Sequence, residues 1–313
     1  MNQANGLTGA ELRHLAALAM IVEEGSFARA ADRLGYTQSA LSQQIRALER
    51  IVGMRLLERR SGRSPLGPTD AGALLLRHAD RIVASLRAAD ADLGALRDGT
   101  QGKLRVGTFQ TVGTGILPPL LARMALDHPE VELSLVEAVR GEELVELVET
   151  GRVDVSFIVL PAGADPLETE PLMDDPWMLV VPASSPLAGR SRIRPGELAE
   201  LTLVAYKYAL PYNPEAQLRL LGVEPRVLLR TDETATVLGL VAAGVAAAVL
   251  PWLVVNPDDP RISATRIDHL LPPRRIGLMW HGDRYRSTAF DRFVDVTRQV
   301  CAELSEQAAI RGG

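Results

Sequence analysis

Residues 25–49 read Gly25-Ser-Phe-Ala-Arg-Ala-Ala-Asp-Arg-Leu-Gly-Tyr-Thr-Gln-Ser-Ala-Leu-Ser-Gln-Gln-Ile-Arg-Ala-Leu-Glu49, and they decide how the N-terminal part folds. Phe27, Ala30, Ala31 and Leu34 fall on one face of a first short helix. Ser26 stands where a hydroxyl can accept an otherwise unpaired backbone N–H, and Gly35 stands where a helix ends in left-handed backbone. Thr37 is placed to cap a second helix whose inner face is Leu41, Ile45, Leu48 and Val52. The outer face carries Ser39, Ser42, Gln43, Arg46 and Arg50. Small and long hydrogen-bonding groups on one face are what a helix needs to lie in a major groove and touch base edges. An ordinary helical hairpin with a solvated polar face has the same pattern.

Charge placement favours the first reading. The 313-residue chain carries a net charge of -5, which taken alone argues against nucleic acid. Residues 25–68 nevertheless hold eight Arg (29, 33, 46, 50, 55, 59, 60 and 63) against Asp32, Glu49 and Glu58, a local balance of +5. Such a local footprint governs phosphate contact. The length predicts two or three domains. One cysteine, Cys301, leaves no internal disulfide and makes a reducing compartment the default. With no secretory pattern at the start, a cytoplasmic location is expected. Residues 237–255 are uncharged and near the length of a spanning helix. Gly244 and Pro251 divide them into a helix, a turn and a buried strand, so no membrane span is expected.

Gly25-Ser-Phe-x-x-Ala-Ala-x-x-Leu34 and Thr37-Gln-Ser-Ala-Leu-Ser-Gln-Gln-Ile-x-x-Leu-Glu49 are followed by Gly53-Met-Arg-Leu-Leu-Glu-Arg-Arg60 and Pro68-Thr-Asp-Ala-Gly72. This series resembles the N-terminal signature of LysR-type transcriptional regulators. The family often has Pro where Ser39 stands and Arg where Gln43 stands. The resemblance implies a winged helix-turn-helix domain over 1–68, with residues 61–68 as an irregular wing. It also implies double-stranded DNA bound at an inverted-repeat promoter site, and contact there with RNA polymerase. Gln38, Ser39, Ser42, Gln43 and Arg46 are the expected base readers, and Arg59, Arg60 and Arg63 the expected phosphate contacts.

A long helix is predicted from Thr69 to about Arg97. Leu75, Ala79, Ile82, Leu86, Ala89, Leu93 and Leu96 step alternately by four and three, the stripe of a two-stranded helical contact between subunits. A helix lying on its own domain shows a similar stripe. With the resemblance, the stripe implies a homodimer through 69–97, and the family implies a homotetramer. Residues 69–101 are thus the linker helix and hinge, the hinge itself at 98–102. From Lys103 short strands and helices alternate, which predicts an α/β fold with mostly parallel sheets behind the all-α N-terminal part. Strands are expected at 104–108, 131–136, 153–160, 177–181, 201–206, 226–231, 246–250, 262–268 and 275–281. Helices are expected at 113–127, 141–150, 215–221, 233–243 and 287–306. The break at 161–166 and the return near 264–268 predict a two-lobed domain over 102–313, lobe I being 102–161 with 268–313 and lobe II 162–267. This arrangement resembles the family's effector domain, which is similar in fold to periplasmic solute-binding proteins.

Open α/β sheets bind ligands beyond the carboxyl ends of their strands, which singles out Thr108, Phe109, Gln110 and Thr111. Hydroxyls, an amide and backbone N–H groups at a helix start suit an anionic or polar small molecule. Thr111 or Thr114 acting only as a helix cap fits the same residues. Arg140 follows the second strand and could pair with a carboxylate or stand alone on the surface. Tyr206 and Tyr208 could close over a ligand from the facing lobe or pack the lobes together. The resemblance favours the cleft, and an anionic effector is expected. No Gly-x-Ser-x-Gly elbow occurs, the glycines at 107, 113 and 115 do not make a dinucleotide fingerprint, and the five His show no metal-ligand spacing. Neither enzyme, metal nor cofactor is therefore expected. The sequence reads as a bacterial transcriptional regulator that binds DNA sequence-specifically and is modulated by a small molecule between two lobes. The competing reading is a ligand-binding protein whose helical N-terminus serves only self-association.

Overall fold

Glycine at the end of each short N-terminal helix sets the corner that lets the next one pack. The structure, a computed structural model, describes residues 7–58, 66–98, 102–207 and 214–310. After a short helical turn at Leu7–Gly9 come α1 (Leu12–Glu24), α2 (Phe27–Leu34) and α3 (Gln38–Val52). Gly35 (φ 69°) and Gly53 (φ 75°) end α2 and α3 in left-handed backbone, which costs glycine nothing because it has no Cβ. Thr37 caps α3 as expected, its Oγ1 accepting from the Ala40 N–H at 3.2 Å. Ser26 does stand at the N-cap of α2, but its hydroxyl makes no capping bond. The first turn of α2 is held instead by the Ser26 carbonyl, which accepts from Ala30 N at 3.0 Å.

Leu15, Leu18 and Ile21 of α1 meet Ala30 and Ala31 of α2 and Leu41, Ile45 and Leu48 of α3 in one core. Burying each large aliphatic side chain contributes about 1.5–3 kcal/mol. Leu12 is exposed, because the inward stripe of α1 runs through His14, Leu15, Ala17, Leu18 and Ile21. Beyond α3, Leu57 bridges to Pro68 and Glu58 N donates to the Gly67 carbonyl at 3.0 Å. Residues 57–58 and 67–68 are thereby held together. The helix α4 (Asp70–Asp98) then begins with Gly72 packed so closely on the Leu56 carbonyl that a Cβ would lie 2.0 Å from its oxygen. Leu75 and Ala79 join the core, whereas Ile82, Leu86 and Leu93 further along α4 are exposed. Of the expected hinge, residues 99–101 lie outside the described residues.

A second compact unit begins at Gly94. Its elements are β1 (Lys103–Thr108), α5 (Gln110–Gly115), α6 (Leu117–Asp127), β2 (Glu132–Glu137), α7 (Gly141–Glu149), β3 (Val155–Leu160), β4 (Leu167–Asp175), β5 (Trp177–Pro182), α8 (Pro195–Ala199), β6 (Thr202–Ala205), α9 (Pro214–Leu220), β7 (Arg226–Arg230), α10 (Thr234–Ala242), β8 (Ala247–Pro251), β9 (Ile262–Arg266), β10 (Arg274–His281) and α11 (Thr288–Ile310). They build two five-stranded sheets, β2-β1-β3-β10-β4 and β7-β6-β8-β5-β9. Strand residues alternate between the two faces of each sheet. Val155, Phe157, Leu278 and Trp280 enter a core with α6 and α11, whereas Ile158 and Met279 enter one with α7. In the second sheet Trp177, Leu179, Ala247 and Val249 face one core, and Met178, Val180, Ala248 and Leu250 the other. Coverage on both faces is why β5 and β8 read as unbroken apolar runs.

Two expectations need correction. The sheets are mixed: β1 runs parallel to β2 and β3, but β10 runs antiparallel to β3 and β4. In the second sheet, likewise, β5 is antiparallel to both β8 and β9. The first lobe does not end at 161 either, since residues 161–166 are a loop inside it and β4 follows in the same sheet. The chain crosses at Pro176 and returns between Arg266 and Arg274. The strand β4, Leu-Glu-Thr-Glu-Pro-Leu-Met-Asp-Asp, is acid-rich and carries Pro171, which a strand tolerates at a sheet edge or at an irregularity in its pairing. It is the edge strand, and its register with β10 shifts beside that proline.

Candidate functional site

Gln38, Ser39, Gln43 and Arg46 are exposed and Ser42 is half-buried on α3, away from its inner Leu41, Ile45 and Leu48. Ser39 Oγ lies 3.0 Å from Thr37 Oγ1, so the cap and the first polar side chain share one network. A groove of about 760 Å³ follows the second half of α3, lined by Gln43, Arg46, Glu49, Arg50, Met54 and Arg55 among others. Glu49, its one carboxylate, accepts the Leu56 N–H at 2.9 Å. The guanidiniums of Arg46, Arg50 and Arg55 leave the groove basic. On α2, Arg29 and Arg33 are both matched by Glu24, at 3.6 and 3.2 Å. Arg59, Arg60 and Arg63 lie outside the described residues.

The second site forms where the chain crosses between its two sheets. Asp175 ends β4 fully buried, and Arg274, 6% exposed, begins β10 directly opposite it. Asp175 Oδ2 accepts from Arg274 Nε at 2.9 Å and Nη2 at 2.6 Å. Its Oδ1 accepts from Leu253 N at 3.1 Å. Nη2 of Arg274 also donates to Thr111 Oγ1 at 2.5 Å, and the guanidinium lies 5.9 and 5.7 Å from the ring centroids of Phe109 and Trp177. Burial pushes the Asp175 carboxyl up and Arg274 opposes it. One ion pair thus ties both crossover strands to the start of α5.

Beside this pair is a cavity of about 170 Å³. Phe109, Gln110 and Thr111 line it from the end of β1, and Glu137 from the end of β2. Trp177, Tyr206, Asp232 and Glu233 line it from the other lobe. Thr234 Oγ1 of α10 donates across the cleft to Gln110 Oε1 at 2.9 Å. The Tyr206 phenol is pushed up to about 12, above all by burial, with Arg274 opposing it.

Of the expected ligand residues, Phe109, Gln110, Thr111 and Tyr206 do come together. Thr108 is buried at the end of β1, with a hydroxyl that has no partner, and it does not line the cavity. Arg140 is exposed at the N-cap of α7, outside the lining. Tyr208 lies outside the described residues. The cation that reaches the cleft is Arg274, which sequence reasoning missed together with Asp175. It is the only cation among the described lining residues, and Asp175 cancels its charge. The positive site expected to hold an anion is therefore absent from the described lining. Asp232-Glu233 just before α10 was the one readable signal for the acidic wall, as a pair of acids at a helix start.

Residues 12–73 match the profile of the bacterial regulatory helix-turn-helix proteins of the lysR family, and residues 97–302 that of the LysR substrate binding domain. The chain belongs to the LysR family. It is a DNA-binding transcriptional regulator with an effector-binding domain. It is 30% identical over 302 residues to a protein of Mycobacterium avium named "Probable hydrogen peroxide-inducible genes activator", covering 95% of each chain. It is also 30% identical to the "Probable HTH-type transcriptional regulator LrrA" of Synechococcus elongatus, over 94% of this chain and 98% of that one. Among solved structures, the LysR family regulator CbnR in complex with its target DNA aligns with a TM-score of 0.67 at 26% identity, covering 93% of this chain and 99% of that one. Among the described residues no helix is long and apolar enough to cross a membrane. The uncharged stretch at 237–255 is divided between α10 and β8, as expected.

Proposed function

We propose that this LysR regulator binds an inverted-repeat promoter site as a homo-oligomer and changes its DNA contact when a small molecule occupies the cleft between the lobes. The observation that carries the reading is α3, whose buried Leu41, Ile45 and Leu48 fix the helix while its polar residues, with Arg46 and Arg50, face outward and Arg55 follows just beyond it. Gln38, Ser39, Ser42, Gln43 and Arg46 read base edges, and Arg59, Arg60 and Arg63 hold phosphates. Residues 1–68 form the DNA-binding domain, 69–101 the linker and 102–313 the effector domain. Dimerisation runs through 69–97, supported by the exposed Ile82, Leu86 and Leu93, and a tetramer with RNA polymerase contact follows the family pattern. The protein acts in the cytoplasm and is not an enzyme. The effector sits against Phe109, Gln110, Thr111 and Tyr206, and its preference for one lobe arrangement shifts DNA affinity by roughly 1–3 kcal/mol.

The test is a pair of substitutions measured on a specific and a random duplex. Gln43→Ala should cost about 1–3 kcal/mol at the specific site and little on random DNA. Arg60→Ala should weaken both alike. If the two variants lowered specific and random binding in the same ratio, the division into base readers and phosphate contacts would be wrong.

A further inference from the structure

We propose that the molecule bound in this cleft is a neutral, planar ring carrying a hydrogen-bond acceptor, of the aryl amide or aryl ketone class. The proposal rests on reading the cleft as the effector site and adds the ligand's charge, shape and polarity. Three of the eleven described lining residues, Phe109, Trp177 and Tyr206, are aromatic, whereas aromatic residues make up 4% of the chain. Ala138 and Val139 add apolar surface. Such walls receive a flat apolar body, because rings gain from offset or edge-to-face contact beyond the area they bury. About 170 Å³ is the room of roughly six waters at about 30 Å³ each, which admits one ring and excludes a peptide.

An orphaned donor sets the polarity. Trp177 is 1% exposed, and its Nε1–H has no hydrogen-bond partner. An indole N–H can only donate, and a donor left unpaired away from water is costly, so the ligand that relieves it presents an acceptor. Thr234 holds Gln110 by its amide oxygen at 2.9 Å, which leaves the amide N–H groups as further donors in the lining. The charge follows from the ion pairs. Arg274, the only cation among the described lining residues, is spent on the fully buried Asp175, so a carboxylate leaving water would find no counter-charge. Glu137 and Glu233 are exposed and keep their own hydration, and Asp232 accepts from Lys207 N at 3.1 Å, so none of the three calls for a cation. A neutral carbonyl on a ring meets all of these conditions.

Benzamide, benzoate and benzamidine share one shape and differ in charge, and calorimetric titration of the full-length protein with the three, and with acetophenone and styrene, tests the proposal. Benzamide or acetophenone should bind saturably at millimolar concentration, about tenfold or more tightly than benzoate and benzamidine. Styrene, a similar body without an acceptor, should bind severalfold more weakly. Trp177→Phe keeps a ring and removes the donor, and should bring the two carbonyl probes down toward styrene. Val139 lines the cavity and is 60% exposed, so Val139→Trp can fill the space without a cost to folding and should block binding. Failure of both carbonyl probes to bind overturns the proposal, as does styrene bound as tightly as acetophenone. Benzoate or benzamidine bound in preference, and blocked by Val139→Trp, overturns neutrality and leaves the cleft as the effector site. A carbonyl probe bound equally well by Val139→Trp overturns the cleft itself.

Discussion

Removing Asp175 is the perturbation whose cost the structure sets most sharply. Asp175→Ala leaves the Arg274 guanidinium, 6% exposed, without its counter-charge, deletes the bonds at 2.9 and 2.6 Å, and frees the Leu253 N–H. Breaking a buried pair by deleting one partner costs about 3–5 kcal/mol, because a desolvated charge is left behind. Exposed pairs such as Arg275–Asp174 at 3.1 Å are worth no more than about 1 kcal/mol, so Asp174→Ala is the matched control. All three tryptophans, Trp177, Trp252 and Trp280, lie in the two-lobed unit. Urea unfolding followed by tryptophan emission therefore reports that unit without the N-terminal helices. Asp175→Leu with Arg274→Met removes both charges and should recover most of the loss, since an apolar pair of similar volume is often neutral or better. A loss under about 1 kcal/mol for Asp175→Ala, or a double variant less stable than the single one, would refute a buried ion pair as the tie between the crossover strands.

Ile82→Asp or Leu86→Asp places a charge in the exposed stripe of α4 and should leave an assembly smaller than wild type in sedimentation. An unchanged oligomer in both variants would remove this stripe from the interface. Cys301 is buried in α11 and its thiol is pushed up to about 12 by that burial, so thiolate chemistry is suppressed. Iodoacetamide should label the native protein negligibly and the urea-unfolded protein fully, and peroxide should not alter DNA affinity in the Cys301→Ser variant or in wild type. Prompt native labelling, or a peroxide response that Cys301→Ser abolishes, would contradict this even though a relative carries a peroxide-inducible name.

The N-terminal helices were legible because their determinants are local. A cap at Thr37, glycines at 35 and 53 and a period near 3.6 need no partner from elsewhere in the chain. The double-faced strands were legible as well, since Trp177–Pro182 is apolar throughout and Val155–Leu160 is apolar but for Ser156. The strand β4 was not, because acids and Pro171 hide a segment that becomes a strand only by pairing with β10, about a hundred residues later. The same distance concealed the cleft's cation. Arg140 follows the neighbouring strand β2 in sequence, but Arg274 is delivered by the returning strand, and only its register opposite Asp175 brings it to Thr111. Alternation of strand and helix in sequence suggests parallel order and does not reveal that β5 and β10 run against their neighbours.

The most direct test of the central claim is the affinity of the full-length chain for a promoter duplex and for a random duplex across a salt series. The account predicts that log K falls linearly with log salt on both, as phosphate-bound counterions are released, with the promoter preferred by about a thousandfold or more. Arg46→Ala should erode that preference, whereas Arg60→Ala should reduce the salt slope by about one on both duplexes. Binding that ignores salt, or that shows the same affinity for both duplexes, would contradict the reading of α3 as a base-reading helix.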